Sequence, residues 1–225
     1  MKKTILTTLV LASGLVLAAC GSDSEKTSST EKEKAPTAAE QKDVSNAPPK
    51  DDNGNIVFTE AGQKSDIEGG TLELLKIKDI NETVDIAPLK VTMKDIKLFK
   101  MTNLDEEFKN DLSYESDAAQ SIGDEFTYVQ IQYDVENTEE KNIEWYALTD
   151  LVTDKGQQID AISNDFIYTE ADGDSVFLGK VKKEFVDAFI VKDEDISKLK
   201  LIFGSSMDAD SYEDITPEQQ VEYTF

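Results

Sequence analysis

Residues 125–137 read EFTYVQIQYDVEN, and the period of this stretch decides the fold class. Val129, Ile131, Tyr133 and Val135 fall on one side of an extended chain, and Gln130, Gln132, Asp134 and Glu136 on the other. Apolar residues at every second position match the pleat of a strand that buries one face. The alternation recurs in both directions. Upstream, GTLELLKIKDI (70–80) places Leu72 and Leu74 on one face. APLKVTMKDIKLFKM (87–101) sets Leu89, Val91 and Met93 against Lys90, Thr92 and Lys94. Its phase slips at Asp95, after which Ile96 and Leu98 carry the apolar face, and a β-bulge accounts for the slip. Downstream, NIEWYALTDLVTDKGQQIDAI (142–162) reads as two strands joined at Asp154-Lys155-Gly156. KKEFVDAFIVK (182–192) and SKLKLIFG (197–204) flank a polar turn, and QVEYTF (220–225) alternates Val221, Tyr223 and Phe225. No stretch has the spacing of a strong amphipathic helix. Residues 111–122 have room for a short one and otherwise form a loop.

Seven or more short strands over about 155 residues predict an all-β protein, an antiparallel β-sandwich. That length can bury one sizeable core. The chain has one cysteine, so no intrachain disulfide can tie the sheets together and packing must hold them.

Composition excludes several functions. The chain carries 23 basic and 47 acidic residues. Such a charge repels polyanions, so nucleic acid is not expected as a partner, and direct docking on anionic headgroups is disfavoured. There is no histidine, which removes the commonest general base and the commonest transition-metal ligand. A thiolate zinc site is excluded by the single cysteine. No cofactor and no metal are expected.

That cysteine, Cys20, closes the N-terminal segment. Lys2 and Lys3 form a positive start, Thr4 to Leu17 is apolar, and Ala18 and Ala19 are small. This is the layout of a secretory signal. From Thr4 to Ala19 the run is about 16 residues, short for a membrane span, and no basic stop-transfer flank follows. Leu17-Ala18-Ala19-Cys20 resembles the lipobox of bacterial lipoproteins. The resemblance implies cleavage between Ala19 and Cys20, a diacylglyceryl group on the Cys20 sulfur, and further acylation of the new amine. Two or more acyl chains anchor stably where one does not. The expected division is therefore a signal peptide at 1–19, a lipidated linker at 20–65 and a sandwich domain at 66–225. The linker SEKTSSTEKEKAPTAAEQKDVSNAPPKDDNGN has almost no large apolar residue and is expected to be disordered. The expected place is the outer face of the cytoplasmic membrane of a Gram-positive bacterium, with the lipid on Cys20 as the membrane contact.

Two stretches carry a second resemblance. TYVQIQYDVENTEEKNIEWYALTDLVTDKGQQID (127–160) and GKVKKEFVDAFIVKDEDISKLKLIFG (179–204) resemble segments of small extracellular Gram-positive lipoproteins. These are immunoglobulin-like domains of unknown function, related to mycobacterial secreted immunoprotective antigens. In them a strand ending in V-x-N-T, here Val135 to Thr138, leads through a polar turn to further strands. The resemblance implies an immunoglobulin-like sandwich and no activity. Residues 85–121 are longer than that pattern leads one to expect.

Three candidate sites remain. DDNGN (51–55) and EADGDS (170–175) hint at calcium loops, but the first has the wrong glycine spacing and lacks a closing glutamate. A turn and a hairpin loop are the readings adopted. Phe166, Tyr168, Phe177 and Leu178 flank the second loop and could form a partner-binding edge. Trp145 is read as core. The function expected is a surface-anchored, non-catalytic binding or accessory module with a protein partner. The alternative is a cell-wall polymer hydrolase using paired carboxylates.

Overall fold

The structure, a computed structural model, describes residues 46–225 apart from Tyr168 and Glu170. The lipobox and most of the linker lie outside the described residues. In chain order, β1 (Lys64–Ile67), β2 (Gly70–Ile86) and β3 (Leu89–Thr102) lead to helix α1 (Glu106–Glu115), a 3₁₀ turn (Asp117–Ser121) and β4 (Glu125–Asn137). There follow β5 (Ile143–Glu144), β6 (Leu148–Thr153), β7 (Gln158–Asp160), a one-turn helix α2 (Ala161–Asn164) and β8 (Val176–Phe177). The chain ends with β9 (Lys182–Val191), β10 (Lys198–Phe203), β11 (Ser206–Asp208), β12 (Asp214–Thr216) and β13 (Gln219–Thr224). The protein is all-β, as the alternation predicts.

One layer is a five-stranded antiparallel sheet, ordered β1-β2-β3-β4-β9. Against it pack two four-stranded antiparallel sheets, β13-β10-β6-β7 and β12-β11-β5-β8. The opening stretch is β4, paired on both sides, with Val129, Ile131, Tyr133 and Val135 all buried in the main core. Asp95 pairs with Gln132 while Met93 pairs with Tyr133, so Lys94 is the extra residue of the expected bulge. The bulge turns the Lys94 ammonium to Asp134, 2.6 Å away, and Lys182 of β9 reaches the same carboxylate at 2.7 Å.

An aromatic knot joins the layers. Tyr133 of β4 stacks on Phe185 of β9 at 5.1 Å and meets Phe203 of β10 edge-on at 5.7 Å. Trp145, just after β5, lies 6.0 Å from Phe203 and 6.1 Å from Phe185. Its indole N–H donates to the Gly204 carbonyl at 2.9 Å, which satisfies the one polar group it takes into the core. Each such ring contributes on the order of 2–3 kcal/mol of burial. They do the work that a disulfide does in antibody domains.

Asn137 shows why the V-x-N-T stretch ends its strand. Its side-chain amide donates to the carbonyls of Lys141 (2.7 Å) and Gly179 (2.8 Å), and its Oδ1 accepts from the Glu139 N–H (3.0 Å). One fully buried side chain thus closes the β4–β5 turn and ties it to the segment before β9.

Two expectations need correction. The linker placed at 20–65 ends earlier, because residues 46–65 pack on the domain. Phe58 is buried and meets Phe99 edge-on at 5.3 Å, and Lys64 N–H donates to the Asn46 carbonyl. In DDNGN, Asp51 accepts from the N–H groups of Asn53 and Asn55, a turn built from its own side chain. A few apolar residues, Ile56 and Phe58, suffice to dock a polar segment whose mean composition reads as disordered. The helix also starts earlier than 111. Asp105 caps it by accepting from the Phe108 N–H at 2.7 Å, and only Leu112 is fully buried. The long 85–121 region is accounted for by the end of β2, all of β3, α1 and the 3₁₀ turn.

Candidate functional site

The four aromatic and aliphatic residues proposed as one edge do not stand together. Phe177 is wholly buried in the main core, Leu178 beside it is 65% exposed, and Tyr168 lies outside the described residues. Strand pairing decides this, since β8 turns Phe177 inward against Trp145 at 6.3 Å and its neighbour outward. Phe166 belongs elsewhere, in a second apolar cluster on the outer face of the five-stranded sheet.

That outer face carries a groove of about 320 Å³. Its floor is Met101, Phe126 and Tyr128, from β3 and β4. One wall is α1, through Phe108 and Leu112, and the other is Phe166 and Ile167. Phe166 stands edge-on to Tyr128 at 5.2 Å, and its N–H donates to the Ala188 carbonyl of β9. The helix reaches its place because Gly69 has no side chain. At φ +86° a Cβ there would fall 2.5 Å from the Phe108 ring. Among the described residues, the groove's charged side chains are Asp111 and Glu115, both on α1 and both exposed.

A second concavity, about 240 Å³, opens beside Trp145, Tyr146, Ala161 and Ala171. Asp165, Asp172 and Asp187 converge there, their carboxylate oxygens within 4.8 Å of one another. Asp172 comes from the EADGDS loop and is held by the N–H and hydroxyl of Thr169. Asp165 follows α2 and accepts from the N–H groups of Ala188 (2.8 Å) and Ile167 (3.1 Å). Asp187, in the middle of β9, accepts from the Tyr133 hydroxyl at 2.8 Å. Burial pushes the Asp165 carboxyl up to about 7, against the pull of its two N–H donors, and the Asp172 charge adds to the rise. Burial, and then the charge on Asp165, holds Asp187 well above the usual carboxylate range. Among the described residues, the charges acting on this pair are those of carboxylates.

With no cation bound, burial favours the protonated forms of Asp165 and Asp187. The three carboxylates carry six oxygens between them, the lower end of the six to eight that calcium takes. A neutral carboxyl must lose its proton before it ligates. Asp165, Asp172 and Asp187 share no motif spacing, so their meeting is not legible in the sequence, although the EADGDS loop contains Asp172. The available hint was Asp187 itself, a lone acid on the apolar face of VDAFIV.

No family model matches the chain, and no curated protein matches it. Solved structures do resemble it in shape. A functionally unknown protein from Listeria monocytogenes EGD-e is 12% identical, with a TM-score of 0.52 over 70% of this chain and 88% of that one. A conserved hypothetical protein from Bacillus anthracis is also 12% identical, covering 65% of this chain and 96% of that one, with a TM-score of 0.35. The first likeness is one of fold and transfers no residue roles.

Proposed function

We propose that this chain is a lipid-anchored surface protein whose sandwich serves as a non-catalytic binding or accessory module for a protein partner. The observation that carries the reading is the apolar groove beside Phe166, open on the outer face of the main sheet and rimmed by acids. An open apolar recess with a polar rim is one form that protein-binding sites take. Leu17-Ala18-Ala19-Cys20 supports the anchor, and the polar segment after it supports a tether. The test has two readouts. Mass spectrometry of the mature N-terminus is expected to find acylated Cys20, and Cys20→Ser to release the protein into the medium. Cross-linking on intact cells is expected to recover one stoichiometric neighbour for the anchored form alone. An unmodified Cys20 on native protein overturns the anchor, and capture of abundant bystanders only overturns the module.

One observation favours a second reading, a hydrolase of wall polymers. Asp165 and Asp187 are paired carboxyls in a cavity beside aromatic rings, and Asp165 is tuned to about 7, the range of a general acid. Turnover of purified wall material, abolished by Asp165→Asn, is what that reading requires.

A further inference from the structure

The groove beside Phe166 carries an inference about its occupant, which rests on the binding-module reading. Its wall and floor are almost wholly apolar, and the charges on its lip have one sign. Asp111 and Glu115 stand four residues apart on α1, a spacing at which like charges repel along a helix. Glu115 also sits at the helix C-terminus, where the macrodipole disfavours an anion, and the last turn has no basic residue. The helix's lysine does not relieve this. Lys109 is turned to Glu106 (2.6 Å) and Asp124 (3.1 Å). Folding gains nothing from two unneutralised carboxylates beside an open apolar trough. They complement a cationic ligand that brings its own apolar side chain.

We infer that the groove between α1 and Phe166 binds a protein segment that seats a large apolar side chain on Tyr128 and Phe126 and flanks it with Lys or Arg. The chain's own linker does not supply such a segment. Residues 22–45 contain no Leu, Ile, Met, Phe, Tyr or Trp. A second copy is disfavoured by its own charge, with 47 acidic residues against 23 basic ones. The basic flanks set on-rate and salt dependence, and the apolar anchor sets residence.

Panning a random-peptide library on the full chain at low ionic strength tests this, followed by titration of the recovered peptides. The expected consensus has Leu, Phe or Trp flanked by Lys or Arg. Affinity is expected to fall about tenfold in an Asp111→Lys, Glu115→Lys variant and to hold in an Asp210→Lys, Glu218→Lys variant of equal net charge. Both pairs of substitutions fall on exposed side chains. If the first variant does not fold, the same test is made on the unaltered chain by exchanging the peptide's lysines for glutamates, which is expected to abolish binding. Acidic or purely polar consensus peptides, no recovered peptide, equal losses in the two variants, or an Asp111-dependent dimer by light scattering each overturn the inference. A cell-surface neighbour that cross-links away from α1 overturns the groove while leaving the module standing.

Discussion

Asp165→Asn is expected to make this protein more stable, and increasingly so as pH rises. The Asp165 carboxyl lies near 7 in the folded state against an ordinary 3.8, chiefly through burial. Between those values the folded state holds a proton that the unfolded state has lost. Stability from this group is therefore complete below about pH 4 and drains away as pH climbs through about 7. Integrated from about pH 5 to about pH 8, the loss comes to about 2.5 kcal/mol. Asp187, raised for the same reason, adds loss in the same direction. Asparagine keeps an oxygen for the N–H groups of Ala188 and Ile167 and has no charge to bury. The gap between variant and parent should widen by about 2.5 kcal/mol over that interval. The chain has no histidine, the side chain whose usual titration falls in this window. Carboxyls held low, such as Asp208 near 2 beside Lys141, lose their contribution only at much lower pH. Urea denaturation at both pH values reads the effect. A parent whose stability rises from pH 5 to pH 8, or a variant destabilised equally at both, would refute the account of a buried, protonated aspartate.

Further expectations concern packing. Asn137→Ala should cost about 2–3 kcal/mol in urea, because it empties a fully buried site and removes the hydrogen bonds to the carbonyls of Lys141 and Gly179. Phe177→Ala should cost about 3–5 kcal/mol, while its exposed neighbour Leu178→Ala should stay within about 0.5 kcal/mol. Similar costs for the two would contradict the strand orientation described for β8. Gly69→Ala should cost about 1–3 kcal/mol by pushing Phe108 off its seat and straining a positive φ. Faster amide exchange confined to α1 should accompany it, and unchanged exchange there would show that the helix does not depend on this contact.

Much of the fold was legible because strands advertise themselves through local alternation. The buried face of β4 and a bulge at the phase slip beside Asp95 follow from side-chain period alone. Trp145 reads as core and is 2% exposed. Strands of two to four residues, such as β8 and β12, were not legible, since so short a run has no period. Helix α1 was misplaced because one buried leucine gives almost no amphipathic signal. The edge drawn through Phe166, Phe177 and Leu178 failed for a different reason. Sequence proximity set those residues side by side, and opposite strand faces and separate clusters divided them.

The sequence by itself determined that the chain is strand-built, acidic, free of histidine and held together without a disulfide. These are properties of composition and local period, which need no partner residue to be read. Only the tertiary structure decided that Asp165, Asp172 and Asp187 meet, and that α1, Phe166 and Tyr128 enclose a groove. Both depend on which strands pair and which face each presents. The free energy of those contacts comes from residues far apart in the chain, and no local window contains them.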